Sequence, residues 1–127
     1  MPTEDFWPSD LDKIDIRTPL SILKEQAAAL GGKTGNAVLA EVVSKSETGD
    51  FYHRLFLVVP VLDNYRYQLF LAVHDIKLYP VQIRKGNQVY RCPDEAALKT
   101  ALKDILASDE TRGLIAALVA QAKAEST

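Results

Sequence analysis

The sequence predicts an α+β fold: an N-terminal helix, an antiparallel meander of four to five strands, and two C-terminal helices packed on the sheet. Three observations carry that prediction. Thr18–Pro19 marks a helix start. Segments rich in aromatic and β-branched residues, divided by turn residues, fill 37–91. Apolar residues then recur at helical spacing from Cys92 onward.

At 127 residues the chain suits one domain. That domain is expected over 18–124, with an arm over 1–17. A compact chain of this size exposes about 6,700 Å² and needs neither disulfide nor metal to build a core.

The arm carries Glu4, Asp5, Asp10, Asp12 and Asp15 around Phe6, Trp7 and Pro8. Leu11 and Ile14 allow one short helical turn from Ser9 or Asp10. Two states are open to the arm: a flexible tail, or a strap in which Trp7 packs against the domain, since a large aromatic gains by burial.

Thr18 can cap a helix, and Pro19 fits its first position, where a missing N–H costs nothing. Leu20, Leu23, Ala27 and Leu30 share one face. Gly31–Gly32 is expected to end this helix at about Leu30.

Strands are expected over 37–46, 51–61, 65–74 and 78–84, with a short fifth over 88–91. Turns fall at Thr48–Asp50, Asp63–Asn64 and Lys85–Asn87. Consecutive hairpins imply an antiparallel meander. Proline lacks a ladder donor, so Pro60 is expected at a strand end and the Pro80 strand at the sheet edge.

Ala97, Leu98, Ala101, Leu102, Ile105 and Leu106 then follow helical spacing after a start at Pro93 or Asp94. Ser108 or Asp109 caps a last helix bearing Leu114, Ile115, Leu118, Val119 and Ala122. Gly113 in its first turns suggests a close approach. The final residues are expected to fray.

The middle strands are apolar on both faces: Leu55, Leu57 and Val59 against Phe56 and Val58, then Leu69 and Leu71 against Phe70 and Ala72. A sheet with one wet face alternates more cleanly. Either the helices cover both faces, or a second subunit covers part of one.

Composition narrows the function. Fifteen basic residues are scattered among seventeen acidic ones, for a net charge of −2, which disfavours nucleic acid. The single cysteine excludes an intramolecular disulfide. No run is long and apolar enough to cross a bilayer, and no secretory leader is read at the start, so no membrane partner is expected and the cytoplasm is the expected compartment.

No catalytic set emerges. Gly31-Gly32-Lys33-Thr34 resembles half of a phosphate loop, but position 27 is alanine and the helix precedes the glycines. It reads as a helix stop. His53 and His74 are the only histidines. A tight two-residue hairpin at Asp63–Asn64 sets them opposite one another, yet two imidazoles make a poor metal site. Solvent-exposed strand-end histidines are the expectation. Cys92, at a strand-to-helix junction, is expected to be a buried, inert thiol. Under the same register Tyr65 and Tyr67 share a face with Phe56, Val58 and Leu71.

The expected function is therefore a non-catalytic protein-interaction or adaptor protein, homodimeric or bound to another protein, using a sheet face or the edge near Pro80. No cofactor and no metal is expected. The candidate interface or pocket residues are Trp7, Arg54, Tyr65, Arg66, Tyr67 and Tyr79, with His53 and His74 as a polar pair. The alternative is a small-molecule binder or small enzyme, its pocket lying between the sheet and the C-terminal helices and lined by Arg54, Tyr65, Tyr67 and the histidines.

Overall fold

The computed structural model describes residues 4–126. Arm residues 1–3 and the last residue lie outside them. The elements are α1 (Pro19–Lys33), β1 (Leu39–Glu47), β2 (Asp50–Val59), β3 (Tyr65–Asp75), β4 (Val81–Lys85), β5 (Gln88–Cys92), α2 (Glu95–Leu106) and α3 (Asp109–Glu125). The strands form one antiparallel sheet in the order β1-β2-β3-β4-β5. An α+β meander between an N-terminal helix and two C-terminal helices is therefore the architecture.

Each helix begins on a side-chain cap. Thr18, Asp94 and Ser108 accept from the backbone N–H of Ser21, Ala97 and Thr111. Such a cap satisfies a donor that the helix leaves unpaired.

α1 runs through Gly31 and Gly32 to Lys33, three residues past the expected stop at Leu30. The chain reverses instead at Gly35 (φ 61°) and Asn36 (φ 65°). Gly31 serves packing. A Cβ there would meet Asn36 Oδ1 and Leu39 Cδ2, each at 3.1 Å. The Asn36 N–H donates to Gly31 O at 2.8 Å, so the loop closes against bare backbone. Gly113 has no such neighbour within 4 Å, and the close approach expected there is absent.

Two register features differ from expectation. The β2–β3 connection is five residues long, a 3-10 turn at Pro60–Leu62 followed by left-handed Asp63 and Asn64. Within the β2–β3 ladder Leu55 pairs with Phe70 and Phe56 with Gln68, so Leu69 is an extra residue in β3. A bulge of this kind reverses side-chain parity along the strand. Leu69 and Phe70 are both buried as a result. Tyr65 and Tyr67 lie between the turn and the bulge, so the five-residue turn sets them opposite Val59 and Leu57, not on the face of Phe56 and Val58.

Pro80 precedes β4 and does not interrupt it. Its missing N–H costs the ladder nothing there. β4 lies between β3 and β5, so the edges are β1 and β5, and the expected edge strand at Pro80 is an interior one. Pro60 does sit at a strand end.

The helices lie on one face. α1 packs on β1 and β2, α2 on β5 and α3, and α3 on the turn after β2. The core joins Leu55, Leu57, Phe70, Ala72, Val81 and Ile83 of that face to Ile22 and Leu23 of α1 and Leu98, Leu102 and Ile105 of α2. The opposite face has no layer over it among the described residues. The accessible surface is 8,724 Å², about 30% above the compact expectation for this chain length. The bare sheet face and the exposed arm account for that excess in kind. No helix among the described residues is long and apolar enough to cross a membrane.

Candidate functional site

Strand pairing lays the bare face out as a grid. From one end its cross-strand rows are Glu47–Asp50–Asp75, then Lys45–Tyr52–Val73–Gln82–Arg91, then Val43–Arg54–Leu71–Arg84–Val89. Beyond the bulge come Glu41–Phe56–Gln68 and Leu39–Val58–Arg66. Along β2 and β3 the face is largely apolar around Arg54: Tyr52, Phe56, Val58, Leu71 and Val73 are half-buried and take no part in the core. Leu39, Val43 and Val89 around them are exposed. Arg66 lies over the Phe56 ring, 4.3 Å from its centroid, and 3.4 Å from a Glu41 carboxylate oxygen. The guanidinium thus rests on an aromatic face while keeping an ionic partner.

The inner face carries a different polar group at its β2–β3 end. His53 and His74 are 3% and 6% exposed, not the solvent-exposed strand ends expected. They are diagonal neighbours: His53 pairs with Ala72, and His74 with Phe51, whose ring stacks on it at 5.3 Å. Their Nε2 atoms are 2.8 Å apart. His74 Nδ1 lies 2.7 Å from Asp75 O, and Ser44 Oγ lies 2.7 Å from His53 Nδ1.

These partners fix the protons. A carbonyl only accepts, so His74 Nδ1 donates to Asp75 O. In the neutral pair His74 Nε2 is then the acceptor, His53 Nε2–H donates to it, and the Ser44 hydroxyl donates to His53 Nδ1. Burial, then the His74 charge and the Lys24 charge, push the His53 imidazole down to about 4. A chain of three satisfied hydrogen bonds holds two buried imidazoles in place. Among the described residues no group of three or more His, Cys, Asp or Glu is placed to hold a metal ion.

Cys92 is 1% exposed, and burial, then the Asp94 carboxylate, pushes its thiol up. An apolar, protonated thiol of this kind is a poor nucleophile.

A cavity of about 520 Å³ lies between the helical layer and the inner face. Its floor is Leu55, Leu57 and Leu69; Ala27 and Leu30 of α1 form one wall, Leu102 and Leu106 of α2 the other. Ile115 of α3 closes one side, and Arg17, Glu25, Lys33, Lys99 and Lys103 ring the opening. The Arg17 guanidinium meets Glu25 through two hydrogen bonds of 2.7 and 2.8 Å.

The sequence-selected residues do not form one site. Arg54 and Arg66 lie on the bare face. Tyr65 and Tyr67 have inner-face parity but are 47% and 39% exposed near the bulge. Tyr79 is half-buried against the core, its hydroxyl donating to Arg17 O at 3.4 Å. Burial, then the Glu95 charge, pushes that phenol up. Trp7 is 77% exposed, so no docked strap forms around it. Neither these residues nor the histidines line the cavity. Sequence reasoning missed Ser44 and the lysines of the opening. A signal for Ser44 existed, since it continues the inward stripe of Ala40 and Val42 with a polar group.

No family model, no curated protein and no solved structure matches this chain.

Proposed function

We propose that this protein is a non-catalytic interaction protein that acts as a homodimer, its bare sheet face packed on the same face of a second copy. The observation that supports the reading most is the patch of Tyr52, Phe56, Val58, Leu71 and Val73, apolar, half-exposed and without a covering layer among the described residues. Solvent contact of such a contiguous patch forgoes burial free energy, and patches of this kind mark interfaces.

A second copy suits the face in size and charge. Five strands spaced by about 4.8 Å, with grid rows about 6.8 Å apart, give a projected area of about 500 Å². Two such faces bury about 1,000 Å², at the small end for a specific interface. One end row is acidic, Glu47, Asp50 and Asp75, while Arg66 marks the opposite end. Turning the copy end over end sets Asp75 against Arg66, Glu41 against Lys45 and Phe56 against Tyr52. Symmetric face-to-face sheets pack this way, and two-fold dimers are the commonest assembly. The middle row lies on the axis, so Arg54 and Arg84 each meet their own copy, a like-charge contact. That like-charge contact costs affinity, so the dimer is a micromolar one. A cytoplasmic setting accords with the lone buried thiol.

Sedimentation velocity across a concentration series tests the reading. Wild type is expected to pass from monomer to dimer near about 10 μM, a free energy of about −7 kcal/mol. Leu71→Arg is expected to stay monomeric, and Arg54→Ala to dimerise more tightly. Monomers throughout, for wild type and Arg54→Ala alike, would remove the homodimer.

A further inference from the structure

The cavity under α1 and α2 is the wrong kind of space for a chain that only pairs sheets. An unfilled gap lined by leucines costs packing energy. Its volume of about 520 Å³ falls within the range of about 300–1,000 Å³ typical of ligand sites. Its direction is set by topology. β1 and β5 run the same way, as first and fifth strands of a meander. α1 turns back into β1, and β5 turns back into α2, so the two helices flank the slot in the same sense. Lys33, at the end of α1, and Lys103, in the last turn of α2, therefore stand at the same end of it.

A second, shallower basin continues from that end. It shares Lys33 and Ile115 with the slot and adds Thr34, Arg112 and Lys123. Lys33, Lys103, Arg112 and Lys123 have no carboxylate within ion-pair distance among the described residues. The only carboxylate on either lining is Glu25, already held by Arg17. A lysine in a last helical turn suits the helix dipole by itself. The dipole does not account for Arg112, which lies in the first turns of α3, where a cation is unfavourable.

From this juxtaposition of an apolar slot and an unpaired basic basin, we infer that the protein binds a single-chain lipid anion, its acyl chain in the slot between α1 and α2 and its phosphate or carboxylate head among Lys33, Lys103 and Arg112. The floor of Leu55, Leu57 and Leu69 takes the chain by burial alone. The head group needs several cations because each is solvated and worth little singly. The site lies on the helical side of the sheet, so it stands or falls apart from dimerisation through the bare face.

Titration calorimetry on the full chain, below micelle concentrations, tests the site with three probes: myristoyl lysophosphatidic acid, monomyristoyl glycerol and glycerol phosphate. The lipid anion is expected to bind at about micromolar Kd, the neutral lipid about tenfold more weakly and the tail-less phosphate far more weakly still. Arg112→Glu, at an exposed position, is expected to abolish the preference for the anion over the neutral lipid. Ala27→Phe fills the slot and is expected to remove binding of both lipids, with a melting curve to show that it folds. Sodium myristate in place of the phosphate lipid distinguishes the two head groups; binding of either supports the site. Equal affinity for charged and neutral lipids, glycerol phosphate as tight as the lipid, or no binding by any probe overturns it.

Discussion

The two faces of this sheet are built from similar residues and meet different ends. Leu55, Leu57 and Val59 alternate with Phe56 and Val58 along one strand. The first set is sealed under helices at 2% exposure or less; the second stays half-exposed. Hydrophobicity therefore specifies that a face needs a cover, without specifying who supplies it. Three helices suffice for one face of a five-stranded sheet. The chain spends all of them on the same side.

The widest separation between the faces should appear on truncating an aromatic. Phe70→Ala empties a site at 1% exposure in the inner core, and is expected to cost about 3–5 kcal/mol. Phe56→Ala removes a half-exposed ring of the outer face, under the Arg66 guanidinium, and is expected to cost under about 1 kcal/mol for the isolated monomer. Urea unfolding of both variants, well below the dimerisation concentration, measures the difference. A comparable loss at Phe56 would mean that the outer face is sealed within a single chain. Above that concentration Phe56→Ala should lose further stability, because dissociation then adds to unfolding.

That distinction marks how far the sequence was legible. The element order was readable because each boundary has local chemistry, such as Thr18 before Pro19 or Ser108 before Asp109. The β2–β3 register was not. A two-residue turn at Asp63–Asn64 looked adequate, but Pro60 begins a 3-10 turn and Leu69 is an inserted residue. Both effects depend on packing that pulls Leu69 and Phe70 inward together. The misplaced face of Tyr65 and Tyr67 follows from the longer turn, and the bulge then sets them on the face opposite Leu71. The histidines were expected at solvent because their shelter comes from outside their own hairpin. Ser44 of β1 provides one hydrogen bond, and Lys24, close enough to bear on His53 by its charge, belongs to α1. The cavity was invisible for a related reason: its walls come from α1 and α2, more than sixty residues apart in the chain.

Acid should weaken the inner face through the histidines. His53 titrates at about 4 when folded, below its ordinary 6.5. Between those values the unfolded chain holds a proton that the folded one lacks, so stability falls as the pH falls. The contribution is complete above about 6.5 and lost by about 4. Its size is on the order of 2 kcal/mol once solvent screening is allowed for. The groups facing the imidazole are Ser44, His74, Phe51 and, through its charge, Lys24. His53→Gln keeps a donor for His74 Nε2 and removes the titration. Denaturant unfolding at pH 7 and pH 4.5 should show the loss in wild type and a smaller one in His53→Gln. Identical losses in the two proteins would assign acid sensitivity to other groups.

The finest comparison uses two neighbours and one substitution. Val58 and Val59 adjoin in sequence and point to opposite faces. Threonine matches valine in shape, so Val→Thr changes polarity with little change in packing. At Val59, fully buried at 0% exposure, the new hydroxyl loses water, and the expected cost is about 1–3 kcal/mol. At Val58 the hydroxyl keeps access to solvent in the monomer, and the expected change is within about 0.5 kcal/mol. Both positions keep a β-branched residue, so strand propensity cancels between them. Unfolding midpoints at low protein concentration measure the contrast directly. Equal costs at Val58 and Val59 would show that the chain alone dries both faces, leaving the bare face no work to do for a second copy. A silent Val58→Thr in the monomer that weakens the dimer in sedimentation would instead place Val58 in the contact between copies.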